Sequence, residues 1–224
     1  MPSTLSVSQV RELDRWTIEE AGVPARLLME IAGVGAHRVL ANSGVPRSPV
    51  IVLAGRGNNA GDAYVVARLA AAAGDRVHVL ASEPPASLPP GDARANAELL
   101  VHYGLEVEPL TVSTLPDHLA GAGVVVDGLL GTGLRGDVRP PYDSLIAAIN
   151  RSGRPVLALD LPSGLDGDRG EPLGIAVQAR WTATFGAMKH GLAKGAGPSL
   201  AGEVTLVPLP FVPAAWAAIG QRPE

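Results

Sequence analysis

The chain has 224 residues, 46% of them apolar, a net charge of -4 and no cysteine. That length suits one sizeable α/β domain, and the absence of thiols excludes disulfides, thiolate metal centres and cysteine nucleophiles. The acidic balance argues against nucleic-acid binding and no apolar run approaches the roughly 18 residues of a membrane span; Met1 to Val7 also lacks the basic-then-apolar order of a signal peptide, so a cytoplasmic protein is expected.

Residues 6 to 40 read as two helices. Ser6 and Gln9 have capping-box spacing, and Val7, Val10, Leu13 and Thr17 recur at about helical intervals. Gly22 and Pro24 stop that helix, and a second runs from about Arg26 to Leu40. From Pro49 onward strand and helix alternate. Apolar runs at 50–54, 76–81, 124–127, 155–160, 181–185 and 203–207 read as strands, and helical stretches fit at 62–73, 92–103 and 142–151. Short, almost wholly apolar strands between helices predict a parallel sheet covered on both faces. Such a sheet binds ligands at the carboxyl ends of its strands, near a switch in strand order. Residues 1–224 read as a single domain, with a surface loop at Glu83 to Pro90 and a loosely held end to the tail after Pro208.

Three motifs sit at predicted strand ends. The first is Gly55-Arg56-Gly57-Asn58-Asn59-Ala60-Gly61-Asp62. Its glycines let backbone amides approach a ligand, and the helix start that follows suits an anionic group. The usual dinucleotide fingerprint is not met, because the next strand ends Leu80-Ala81-Ser82 with no acid before Glu83. A tight turn with Asp62 as helix cap is the plain alternative. In the second motif, Val124-Val125-Val126-Asp127 opens into the glycine-rich run Gly128 to Asp137, where the glycines can form an anion nest with Thr132 and Arg135 as added donors. In the third, Val156 to Leu159 ends at Asp160 and leads into Pro162-Ser163-Gly164. Asn59, Asp127 and Ser163 are hard oxygen donors with one carboxylate among them, a set better suited to a monovalent cation than to a divalent one. A hydrogen-bond network without an ion is the alternative.

These motifs, in this order and spacing, resemble the NAD(P)HX epimerase family, also called the YjeF amino-terminal domain family. Asn58-Asn59-Ala60-Gly61-Asp62 matches its Asn-Asn-Gly-Gly-Asp, Asp127 to Gly133 matches its Asp-x-x-x-Gly-Thr-Gly loop, and Asp160 to Gly164 matches Asp-x-Pro-Ser-Gly. Thr182 to Gly191 matches a later Thr-x-x-Phe-Gly-x-x-Lys-x-Gly segment, and Glu12-Leu13-Asp14 and Leu27 to Glu30 match runs in the amino-terminal helices. The resemblance implies a three-layer αβα sandwich with a Rossmann-like, mostly parallel sheet and two amino-terminal helices, usually homodimeric. It implies epimerisation of hydrated NADH and NADPH, so that a separate ADP- or ATP-dependent dehydratase can use both forms. It places a potassium ion on Asn59, Asp127 and Ser163. It places substrate contacts on Asn58, Asn59, Ala60, Gly61 and Asp62, on Gly131, Thr132, Gly133, Leu134, Arg135, Gly136 and Asp137, and on Asp160. Inverting the hydroxyl-bearing ring carbon needs an acid or base beside it, by an iminium or a ring-opened route. Asp127 is the first candidate and Asp160 the second.

The chain departs from the family pattern at Ala60 and Ala63, where glycine is usual, and at Ile31, where asparagine is common. A non-catalytic nucleotide-binding scaffold of the same fold is the rival reading. The lack of a Gly-Lys-Ser/Thr loop and of an acidic metal cluster argues against an unrelated nucleotide-dependent transferase. His37, His78, His102 and His118 show no metal spacing, and His190 is a candidate to reach the site. Trp16, Trp181 and Trp216 read as packing groups, and Lys189 as a solvated lysine.

Overall fold

The computed structural model describes residues 4–222. The elements in chain order are β1 (Thr4–Leu5), α1 (Val7–Arg15), α2 (Ala25–Ala41), β2 (Val50–Ala54), α3 (Asn58–Ala72), β3 (Val77–Ala81), α4 (Asp92–Leu99) and β4 (Val107–Pro109). They continue with α5 (Leu115–Ala120), β5 (Val124–Gly128), α6 (Tyr142–Ser152), β6 (Val156–Leu159), β7 (Trp181–Phe185), β8 (Met188–Lys189), α7 (Gly197–Ala201), β9 (Glu203–Val207) and α8 (Pro213–Ala218). Seven strands form one sheet in the order β4-β3-β2-β5-β6-β7-β9, and every pairing is parallel. The order reverses between β2 and β5, where the chain runs outward first to one edge and then to the other.

The period-two alternation of the strands divides the core. Val50, Val52 and Ala54 face α2 and α3 with Tyr64, Ala67 and Leu40. Ile51 and Leu53 face the other way, toward Leu115, Leu119, Leu145 and Ile149 of α5 and α6. Helices therefore cover both faces, as strands without a polar face require. A third cluster joins α1, α2 and α8 through Leu13, Leu28, Phe211 and Ala215.

Several boundaries differ from the expectation, each for a local reason. Helix α3 starts at Asn58, because Gly57 takes the extended cap conformation (φ -102°, ψ -166°); Asp62 lies one turn inside the helix and does not cap it. Helix α4 ends at Leu99 and tightens into a 3₁₀ turn over Leu100–Tyr103, closed by Gly104 at φ 71°. The three-residue β4 and six-residue α5 were too short to register as periodic patterns. Leu88 anchors the Pro-rich surface loop in the core. Beyond Pro208 the chain is held by Phe211, whose ring meets Trp216 edge-on. Ala60 and Ala63 sit within α3 with helical backbone, so neither needs the conformational freedom of glycine.

Candidate functional site

The carboxyl ends of β2, β5, β6 and β7 converge on one cleft of about 800 Å³. Two loops make its floor. Gly55 carries the chain from β2 toward α3 so close to the segment after β5 that a Cβ there would lie 1.9 Å from the Leu129 carbonyl oxygen. Only glycine permits that approach. Gly61, on the other side of α3, admits Met29 of α2, whose Sδ would lie 2.5 Å from an added Cβ. Both asparagines thus occupy the first turn of α3, where free amides and the helix dipole favour an anionic ligand.

The sequence-predicted residues divide between the cleft and the layer beneath it. Asn58, Asn59, Asp62, Asp160 and Gly131 to Arg135 line the cleft. Ala60 is fully buried in the core and Gly61 faces α2, so these two shape the loop without lining the cleft. Gly136 and Asp137 are exposed and lie outside the lining. Asp127 and Ser163 are fully buried below the cleft.

Asp127 ends β5 inside a closed hydrogen-bond network. Its carboxylate accepts from Ser163 Oγ (2.6 Å), the Ser163 amide (2.9 Å) and the Leu129 amide (3.2 Å). The Leu130 amide in turn donates to Ser163 Oγ at 2.8 Å. Burial pushes the Asp127 pKa up to about 6, and these donors hold it back from rising further. The side chain has no route to a ligand in the cleft while Leu129 and Leu130 cover it. Asn59 stands over the same network. Its amide nitrogen donates to the Leu130 carbonyl at 3.1 Å, and its buried Oδ1 has no partner among the described residues. An orphaned buried amide oxygen, a buried carboxylate without a cationic neighbour and a serine hydroxyl form an all-oxygen set with one full charge. Those are the donors a monovalent alkali cation takes.

Asp160 is different. It sits at φ 65°, the only described residue other than glycine with positive φ, immediately after β6. An aspartate there is tolerated but strained, a condition that marks functional positions. Its Oδ1 accepts from the Phe185 amide at 3.1 Å and pairs with Lys189 Nζ. Lys189 is 1% exposed and also donates to the Phe185 carbonyl at 2.7 Å. It is thus an interior cation, and the expectation of a solvated lysine is overturned: the turn after β7 folds it back toward the end of β6.

Two further carboxyl groups share this environment. Asp14, from α1, lines the cleft, and burial raises its pKa to about 6, with Lys189 opposing and Asp160 assisting. Asp62 is pushed well above the ordinary range by burial, then by Asp160 and Asp14, again opposed by Lys189. Three carboxyl groups around one ammonium cannot all be ionised cheaply, so this wall holds at least one removable proton near neutrality. Sequence reading gave Asp14 no role in the site and took Lys189 for a solvated lysine. The available signal for Asp14 was position: it lies three or four residues from Arg11, Val10 and Ile18, which line the same cleft. Arg11 donates to the Thr132 carbonyl at 2.7 Å and ties α1 to the glycine-rich loop. His190 accepts from or donates to Thr4 Oγ1 at 2.8 Å and does not line the cleft. Arg11, Arg56 and Arg135 stand at the rim, while Met29, Phe185 and Phe211 make an apolar wall.

A parallel α/β sheet with a ligand cleft at its switch point, basic at the rim, apolar on one wall and acidic on the floor, defines a protein that receives a small polar molecule bearing anionic groups. Comparison with known proteins makes the class specific: residues 25–191 match the model of the YjeF-related protein N-terminus family, and the chain belongs to that family. It is 40% identical to the bifunctional NAD(P)H-hydrate repair enzyme Nnr of Salinibacter ruber, over 99% of this chain and 43% of the relative. It is 39% identical to the NAD(P)H-hydrate epimerase of Achromobacter xylosoxidans, over 86% of this chain and 88% of that protein. The chain therefore spans less than half the length of the bifunctional relative. The crystal structure of yeast ynu0 superposes with a TM-score of 0.83 at 20% identity, covering 99% of this chain and 95% of that one, and shares the fold.

Proposed function

We propose that this chain is an NAD(P)H-hydrate epimerase, interconverting the R and S forms of hydrated NADH and NADPH. The observation that carries the reading is the acidic floor of the cleft, with Asp160 aimed into it and Lys189 behind. The sheet order supports it too, since counting from β2 it runs 3-2-1-4-5-6-7, and its first six strands have the arrangement of dinucleotide-binding sheets. Relatives named for this activity match over nearly their whole length.

In this reading the arginine rim and the α3 amides hold the diphosphate, and the apolar wall receives the reduced ring. The reaction requires the hydroxyl on the carbon beside the ring nitrogen to change face. By the iminium route, a carboxylic acid donates a proton to the departing hydroxyl, the nitrogen lone pair forms the carbon–nitrogen double bond, and water leaves. Water then adds from the other face, returning a proton to the carboxylate. By the ring-opening route, the base removes the hydroxyl proton, the carbon–nitrogen bond breaks to an aldehyde while the leaving nitrogen takes that pair and the proton, and the reverse steps on the other face of the carbonyl reclose the ring. Asp160 is the acid/base that either route needs, because it reaches the cleft. Asp62 and Asp14 are the reservoir for its proton. Asp127, sealed beneath the floor, serves with Asn59 and Ser163 to hold a potassium ion, which when bound adds positive charge under the loops that seat the ligand. The S form then passes to a dehydratase.

The test is a recovery assay. Purified protein receives the R epimer of NADHX with an S-specific dehydratase, with and without potassium, and the return of NADH absorbance is followed. Recovery faster than spontaneous epimerisation is expected. No acceleration by folded protein would overturn the reading in favour of a binding module.

A further inference from the structure

We propose that His78, Glu108 and His118, on the face of the sheet away from α3, form a binding site for one divalent transition-metal ion of the zinc type. The three residues are far apart in sequence and meet through topology. Leu80 of β3 pairs in register with Glu108 of β4, and His78, two residues before Leu80, projects from the same face. Helix α5 lies over that face with Leu115 and Leu119 buried beside Leu80, which brings His118 over the same edge. His78 Nδ1 lies 3.6 Å from Glu108 Oε1, and His118 Nε2 lies 3.9 Å from Glu108 Oε2. The two imidazole rings stand edge to face with centroids 5.9 Å apart, and one ligand atom from each residue falls within 4.8 Å of the others.

These separations are too long for hydrogen bonds. Two donors about 2.1 Å from a shared ion sit roughly 3.4–3.6 Å apart at tetrahedral to trigonal angles, so the His78 separation already fits and His118 needs only a small side-chain rotation to close. Two imidazoles and one carboxylate are borderline donors, suited to zinc, nickel or copper and not to calcium or magnesium. His78 and Glu108 are about half exposed and His118 is 22% exposed, so an ion can enter and water can complete its shell. None of the three lines the cleft, and the set shares no residue with Asn59, Asp127 and Ser163. The site is independent of the proposed epimerase chemistry. It lies where a three-residue edge strand and a six-residue helix rest on β3. An ion there ties all three together.

Tag-free protein, stripped with a chelator and held in potassium buffer, is titrated calorimetrically with zinc chloride. One ion per chain is expected, and His118→Ala or Glu108→Gln should each weaken binding at least tenfold. The exposed His102→Ala variant should bind as the parent does. Cobalt in place of zinc should give visible absorption that the His118→Ala variant lacks. Free zinc at about 100 times the parent's dissociation constant should raise Tm by about 5 °C in the parent and by no more than about half as much in Glu108→Gln. Absence of saturable one-ion binding, or binding that survives loss of either histidine, would overturn the proposal. Recovery of NADH in the epimerase assay bears on neither result.

Discussion

Asp127 and Asp160 each close an apolar strand and each lead into a glycine-bearing turn, yet the fold gives them different company. Asp127 lies beneath Leu129 and Leu130, bonded to two amides and the Ser163 hydroxyl, with no cation beside it. Asp160 faces the cleft from a strained backbone position and has Lys189 of the same chain as its partner. The difference lies in where each positive charge comes from. At Asp160 the protein supplies it covalently, so the carboxylate remains available to an incoming molecule. At Asp127 neighbouring dipoles carry part of the load, and Asn59 Oδ1 is left over for something the chain does not contain. One aspartate thus lines the cleft beside a built-in cation, and the other is buried beneath it next to an amide oxygen without a partner among the described residues.

The comparison breaks most visibly at Asp160. If Asp160 is the acid/base proposed above, Asp160→Asn should lower turnover by about 10³-fold in the recovery assay, with KM changed much less, because the lost proton transfer is to and from the substrate hydroxyl. Equal loss in Asp127→Asn and Asp160→Asn, with potassium saturating, would erase the distinction. Lys189→Met comes next. It strands Asp160 beside Asp14 and Asp62 and should cost about 3–5 kcal/mol in urea unfolding.

Asp127→Asn tests the other side. Both carboxylate oxygens accept hydrogen bonds, so an asparagine must set its own NH2 against the Ser163 or Leu129 amide. The variant should lose about 1–3 kcal/mol and should no longer respond to potassium. The pH dependence follows. The native-state pKa is near 6 against an ordinary carboxyl value of 3.8, so the native state keeps its proton after the unfolded chain has lost it. The associated stability is full below about 3.8, falls as pH rises to about 6 and is level beyond. Asp127→Asn should remove the Asp127 share of that fall while the Asp14 share, with its pKa also near 6, persists. Potassium affinity should drop as pH falls below about 6, roughly tenfold per unit, as protons compete for the ligand. The smallest effect belongs to the helix that brings Asp14. Ser6 and Gln9 form a reciprocal capping box there, and Ser6→Ala should cost about 1 kcal/mol.

Much of this arrangement was legible before folding. The apolar strands, the glycine turns and the oxygen-bearing residues at three strand ends declare a parallel sheet with a site at its carboxyl edge. Asn59, Asp127 and Ser163 do meet, since each lies within a residue or two of a turn whose direction the sheet dictates. What remained hidden depends on burial and handedness of approach. A lysine reads as solvated until the turn after β7 folds its ammonium against Asp160. Asp127 reads as the first catalytic candidate, and only the folded chain shows that it is fully buried and outside the cleft lining. His78 and His118 have no local spacing in common, and only the pairing of β3 with β4 under α5 places them around Glu108.

Strand β1 gives the cleft a temporal property. Leu5 pairs with Lys189, and Thr4 meets His190 across 186 residues of chain. So distant a clasp is completed only after the main sheet has formed, and two rungs hold it. Amide protons of 188–190 should therefore exchange through a partial opening that leaves β2 and β5 protected. On heating, this latch should release Lys189 while the sheet is still intact, so that loss of activity in the recovery assay should precede loss of the helical circular-dichroism signal.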